Sequence, residues 1–117
     1  MKEPPSFREL LLKGVPASAR TTVVGKVCIL RDPADCSRMD QGGVLVARET
    51  SPAYFTAINK AGAIVTEVGG ILSHAAILSR ELGIPCVVNA ENATAILRDG
   101  MEVIVDGEHG TVYGNSR

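Results

Sequence analysis

Tryptophan is absent, and the other aromatics are scarce, with 2 Phe and 2 Tyr in 117 residues. Any core must therefore be built on small aliphatic side chains. Neither sign of charge is in excess: 12 Lys and Arg stand against 13 Asp and Glu, a net charge of -1, mixed along the chain. That balance excludes the electrostatic footprint of a nucleic-acid or anionic-membrane binder. No apolar run is long enough to span a bilayer, and the N-terminus lacks a signal-peptide core. A cytoplasmic location is the expectation. Cysteine is sparse and odd in number (Cys28, Cys36 and Cys86) and shows no CxxC spacing, which argues against a disulfide framework. Cys28 and Cys86 lie in strand-like apolar runs and read as reduced core residues. Cys36, in a polar loop, reads as an exposed one. There is no internal repeat or low-complexity segment, and the length suits one domain with a modest core.

What is present is an alternation of short strands and short helices. The opening "MKEPPSFRELLLK", residues 1–13, carries a proline pair and a short amphipathic stretch, and reads as a linker or docking arm. "TTVVGKVCIL" is rich in β-branched residues and predicts a strand, broken by the turn-forming "RDPADCSRMDQGG". "VLVARE" is a second strand. In "TSPAYFTAINKAG", Ser51 caps and Pro52 suits the first turn of a short helix closed by Gly62. "AIVTE" is a buried strand. A helix over "SHAAILSREL" follows it, stopped by Gly83 with Pro85 just beyond. "CVVNA" is another strand, "ATAILRDG" a helical turn, and "EVIVDGEHGTVYG" a hairpin. The pattern implies an α/β sandwich with a mixed sheet and short helices.

The chemistry concentrates in "VTEVGGILSHAAILSRELGIP", Val65 to Pro85. Ser73 is an N-cap candidate, which leaves His74 in the first helical turn. A helix N-terminus carries unpaired N–H groups and about half a positive charge. A protonated imidazole is disfavoured there, and the neutral ring is the nucleophilic one. Phosphoryl oxygens on that ring would meet backbone donors. Gly69 and Gly70 allow a tight turn from strand to helix and leave space for a bulky anion. Ala75, Leu78 and Leu82 recur at helical spacing as a buried face, with Ile77 between that face and His74.

Plainer roles exist for the same residues. A lone histidine near a helix start often only packs or caps, with its glycines serving the turn. A metal site lacks a second ligand at suitable spacing, since the other histidine, His109, falls in the "DGEHG" turn and reads as a solvated turn residue. Ser73 has no acid–base partner pattern and no G-x-S-x-G context.

In order along the chain, "GVLVARETSP", "AGAIVTEVGG", "SHAAILSRELGIPCVV" and "LRDGMEVIVDGEHGTVYG" resemble the mobile phosphohistidine domain of the phosphoenolpyruvate-utilising enzymes. That family includes pyruvate phosphate dikinase, phosphoenolpyruvate synthase, enzyme I and rifampicin phosphotransferase. The resemblance runs from Gly14 to Gly114 and implies a domain over 14–117 with a swivelling β/β/α sandwich fold. It implies His74 as the phosphoryl acceptor, with Ser73, Gly69 and Gly70 shaping its loop and Thr66 and Glu67 at the strand end. Arg80 matches the motif's arginine, and a structural ion pair is its expected role. The implied partners are an ATP-grasp domain and a phosphoenolpyruvate, pyruvate or other acceptor domain. No cofactor is expected on this domain itself, with Mg²⁺ and ATP or phosphoenolpyruvate held by those partners. No GxxxxGK loop occurs here. Two departures stand out. Leu72 replaces a threonine that dikinases use for regulation, and "SARTT" (Ser18 to Thr22) replaces a Ser-Pro-Gly stretch. The alternative from another class is an anion-binding or regulatory module that keeps the fold without transferring phosphate.

Overall fold

A computed structural model describes residues 9–114. Eight strands form one mixed sheet: β1 (Glu9–Lys13), β2 (Val15–Pro16), β3 (Thr22–Leu30), β4 (Val44–Ala47), β5 (Ala63–Thr66), β6 (Cys86–Val88), β7 (Glu102–Asp106) and β8 (Thr111–Gly114). Their order is β1-β8-β7-β3-β4-β5-β6-β2. The long β3 belongs to two regions. Its first half, Thr22 to Lys26, pairs antiparallel with β7, and its second half, Val27 to Leu30, pairs parallel with β4. β4, β5 and β6 continue in parallel, and β7 and β8 form the expected hairpin.

Alternation along β4 explains the layering. Val44 and Val46 face Val103, Val105 and Val112 of the antiparallel region, together with Leu12 of β1. Leu45 and Ala47 point the other way, onto Ala57, Ile58, Ala75 and Ala76 of the helices. The parallel strands are thus buried on both faces, which is why they read as continuous apolar runs instead of alternating ones. Each fully buried Val or Leu contributes about 1.5–3 kcal/mol. The result is the expected mixed α/β sandwich with short helices.

The helices are α1 (Phe55–Ile58), α2 (His74–Leu82) and α3 (Ala93–Ile96). Ser51 accepts from Ala53 N as a cap, but its helix divides into a 3-10 turn at Pro52–Tyr54 and the single turn of α1. The stretch expected as a plain turn holds a 3-10 helix, Pro33–Arg38, with a reciprocal capping box between Asp32 and Asp35. That helix presses Cys36 inward, to 8% exposure, so the expected exposed cysteine is buried along with Cys28 and Cys86. Burial pushes the Cys86 thiol up to about 11, away from nucleophilic chemistry.

Two further expectations are corrected. Residues 9–13, placed by sequence in a linker or docking arm, form strand β1 on β8, because the antiparallel ladder and burial of Leu12 give that stretch partners. The remainder of the arm, residues 1–8, lies outside the described residues. On α2 the buried face is Ala75, Ala76 and Ser79 with Leu78 packed partly against it, while Leu82 and Ile77 are exposed. Small residues let this helix lie close on β5 and β6, which turns the larger ones outward.

β1 and β2 stand at opposite ends of the strand order but are separated only by Gly14. Gly14 N donates to Gly110 O at 2.8 Å on one side, and β2 pairs with β6 on the other. The segment from Glu9 to Pro16 therefore clasps the two outer edges of the sheet together.

Candidate functional site

β3, β4 and β5 all end at the same side of the sheet, and the loops that follow them build the site. Open parallel sheets bind ligands at these carboxyl ends. After β5, Thr66 is fully buried and its hydroxyl donates to Val68 O at 2.9 Å, which starts the turn. Gly69 then adopts φ +114, a conformation that favours glycine, and a β-carbon there would lie 3.1 Å from Ser73 Cβ. Ser73 closes the loop by accepting from Ala76 N at 3.3 Å, so it is the N-cap of α2 and His74 is the first helical residue. Such a cap contributes about 1 kcal/mol. Gly83 ends α2 in the left-handed conformation.

His74 is half-buried. Its Nδ1 lies 2.9 Å from Thr50 Oγ1, on the loop after β4. A cleft of about 230 Å³ gathers Glu49, Thr50, Thr66, Gly69, Ser73 and His74. Four of the residues singled out in the sequence (Thr66, Gly69, Ser73 and His74) are thus brought together. Gly70 is not among the lining residues. It is exposed, and a β-carbon on it would meet nothing within 4 Å.

Arg80 has a different role from the expected ion pair. Its guanidinium donates to Ile71 O and to Ala17 O, each at 2.7 Å. From the second half of α2 it ties down the glycine loop that precedes the same helix, and ties both to the chain after β2.

Glu67 turns away from His74. Its Oε2 accepts from Thr94 N at 2.7 Å and from Thr94 Oγ1 at 2.6 Å, anchoring α3. The Thr94 hydroxyl, foremost, holds the Glu67 carboxyl below its ordinary range. A depressed folded-state value makes this contribution fully present above the unfolded carboxylate value of about 4.3, and lost as pH falls through the folded one. Glu67→Gln is therefore expected to flatten the decline of Tm as the pH falls below about 4.3, as read by circular dichroism across a pH series. An unchanged slope would count against the contact.

His109 sits apart, in the β7–β8 turn, with Nδ1 2.8 Å from Asp106 Oδ2. That contact raises its pKa and fixes the turn. Among the described residues, no group of three or more His, Cys, Asp or Glu is placed to hold a metal ion. Nor is any helix among them long and apolar enough to cross a membrane.

The sequence reasoning missed Thr50 and Glu49. The available signal was their place at the carboxyl end of "VLVA", beside the strand that leads to His74.

Fold and site together define a small mixed α/β domain with a histidine at a helix start, and its family relationship makes it a phosphotransfer domain. The chain belongs to the PEP-utilising enzyme mobile-domain family, whose model matches residues 39–110. It is 47% identical over 105 residues to a probable phosphoenolpyruvate synthase of Archaeoglobus fulgidus, covering 90% of this chain and 14% of that one. The phosphoenolpyruvate synthase of Pyrococcus furiosus is likewise 47% identical over 105 residues, with 90% and 13% covered. A pyruvate kinase of Geobacillus stearothermophilus is 42% identical over 106 residues, with 90% and 18% covered. The chain thus spans less than a fifth of the length of these relatives. Among solved structures, the solution structure of an Enzyme I protein (nEIt) is similar with TM-score 0.58 and 36% identity, over 68% of this chain and 33% of that one. Aconitase X of Thermococcus kodakaraensis shares the fold, with TM-score 0.59 and 23% identity over 86% and 95% of the two chains.

Proposed function

We propose that this domain is a phosphoryl carrier, transiently phosphorylated on His74 and delivering the group between a nucleotide site and a phosphoenolpyruvate, pyruvate or other acceptor site. The observation that carries this reading is the pairing of His74 Nδ1 with Thr50 at the start of a capped helix. With Nδ1–H donating to Thr50 Oγ1, the lone pair is on Nε2, the ring nitrogen free to attack phosphorus. Free N–H groups of the first helical turn are the donors available to phosphoryl oxygens.

In this reading the chain works in the cytoplasm with an ATP-grasp domain and an acceptor domain. Those partners hold Mg²⁺ and ATP or phosphoenolpyruvate. The membership of much longer phosphoenolpyruvate synthases in the same family supports such partners. Supplying a phosphoenolpyruvate synthase's remaining domains with Mg-ATP tests the reading. Intact-mass spectrometry should find one added phosphoryl group, lost on brief acid treatment and stable in alkali. An unmodified chain under turnover of the donor would favour the non-catalytic module instead.

The glycine pair separates approach from folding. Gly70→Val adds bulk at an open, exposed position of the loop that leads into the histidine's helix, where a donor would approach, so phosphoryl acceptance should fall severalfold while Tm stays within a few degrees. Gly69→Val places a branched residue at φ +114 against Ser73 and should cost on the order of 1–3 kcal/mol in stability. If Gly70→Val destabilises and leaves acceptance per folded molecule unchanged, that glycine serves only the turn.

A further inference from the structure

Next to the His74 cleft lies a larger one of about 370 Å³, lined by Arg31, Arg48, Glu49, Tyr54, Glu67 and Thr94. Glu49 lines both, so the two clefts share a wall. Arg31 and Arg48 follow directly on β3 and β4, at the same carboxyl ends that support His74. The backbone ties them closer still: Val68 N, which belongs to the loop of the histidine, donates to Arg48 O at 3.1 Å.

The charges in this cleft are unequally committed. Glu67 is occupied by Thr94 through two short hydrogen bonds. Arg48 Nη1 lies 3.7 Å from Glu49 Oε2, with both side chains about two-thirds exposed, a pair of little energetic value. Arg31 Nη2 reaches only a carbonyl, Thr94 O, at 3.4 Å. Among the described residues Arg31 is in no ion pair. Neither guanidinium supports a buried contact. Each offers five N–H donors in a planar fork that matches phosphate or carboxylate oxygens. An entering anion would draw Arg48 away from Glu49 at small cost.

We infer that this cleft is an anion subsite, in which Arg31 and Arg48 hold the non-transferred phosphate or carboxylate of the phosphoryl donor or acceptor while His74 exchanges its phosphoryl group. The inference rests on the carrier reading. In the transfer, the P–O bond to the leaving group breaks, its electron pair goes to the leaving oxygen, and the Nε2–P bond forms. The proton stays on Nδ1, donated to Thr50 Oγ1. Arg31 and Arg48 stabilise the anion that leaves. Reversal delivers the group to an acceptor oxygen held in the same place.

The test titrates inorganic pyrophosphate, and separately oxalate, into the isotope-labelled chain and follows the Arg31 and Arg48 side-chain N–H signals by NMR. Saturable shifts with pyrophosphate assign the subsite to a phosphate-bearing ligand, and shifts with oxalate assign it to a carboxylate-bearing one. Arg31→Gln and Arg48→Gln should each weaken binding about tenfold, whereas Lys60→Gln, an equal charge change at the far end of the sheet, should not. The inference is overturned if neither anion produces saturable shifts, or if the arginine variants bind as tightly as the parent. Potassium phosphoramidate, which carries no second anionic group, checks His74 separately: its P–N bond breaks, ammonia leaves and Nε2–P forms. Failure of that labelling alone counts against the carrier reading, and failure of the anion titration alone against the subsite.

Discussion

His74→Ala is expected to abolish phosphoryl incorporation outright while leaving the fold intact. The loss of acid-labile, alkali-stable label should be complete because the described cleft holds no second imidazole. Ser73 Oγ is engaged as the cap of α2, Thr66 Oγ1 donates to Val68 O, and the three cysteines are buried. A phosphoramidate is labile in acid and stable in alkali, unlike a serine ester, so the chemistry of the label identifies its site. Stability should change by only about 1 kcal/mol, since the imidazole is half-buried and gives up one hydrogen bond, to Thr50. Mass spectrometry of parent and variant with the same donor, alongside thermal unfolding of each, makes the comparison. Acid-labile label that survives in His74→Ala would overturn the assignment, and a collapsed Tm would show that the residue is structural.

A large effect on folding is expected from Gly14→Ala. A β-carbon at this position would overlap the carbonyl oxygen of Val88, and it would lie 2.8 Å from Val87 Cγ1 and 3.2 Å from Ala90 N. Two of those three neighbours are backbone atoms of β6 and its exit, so no rotamer change relieves the crowding. The alternatives are to part β2 from β6 or to break the Gly14–Gly110 hydrogen bond. A cost on the order of 3 kcal/mol follows. It corresponds to a fall in Tm on the order of 10 °C. Gly70→Ala, with open space around its new β-carbon, is the matched control. Equal melting temperatures for the two variants would show that the clasp at Gly14 tolerates bulk.

Local chemistry explains which parts of the fold were readable in advance. The parallel strands are short apolar runs bounded by turn residues, and α2 has a serine at one end and a glycine at the other. Those signals are carried by neighbouring residues. β1 was hidden because "ELLLK" acquires its meaning from β8, which pairs with it from the other end of the chain. The burial of Cys36 depended on a capping box that folds Asp32 and Asp35 onto one another and tucks the cysteine under the 3-10 turn. In α2, the periodicity placed Leu82 inward, but the close approach to β5 and β6 selects alanine and serine for the contact.

The site divides in the same way. Ser73, His74 and Gly69 lie in one short stretch with a cap at a known offset, so the cap, the helix start and the turn followed from sequence, whereas Gly70 lies outside the cleft. Thr50 lies 24 positions from His74 and reaches it only because β4 and β5 are adjacent and parallel. Arg80 was visible as a residue but not as a clamp, since its targets, Ile71 O and Ala17 O, are backbone atoms. Carbonyl acceptors leave no mark on residue identity.

In the β1–β8 ladder, Glu9 is paired directly with Gly114. The domain's first and last described positions therefore sit side by side on one two-stranded ladder. Spliced into a larger chain at these points, it would close a gap of only one strand spacing, with little loop entropy to overcome. The same geometry sets how it would respond to load. Tension applied between the two ends would unzip β1 from β8 one rung at a time, the weak direction for a ladder. The unzipping would halt at Gly14, which donates to Gly110 O and leads into β2 on β6, so any further yield requires both edges of the sheet to open together.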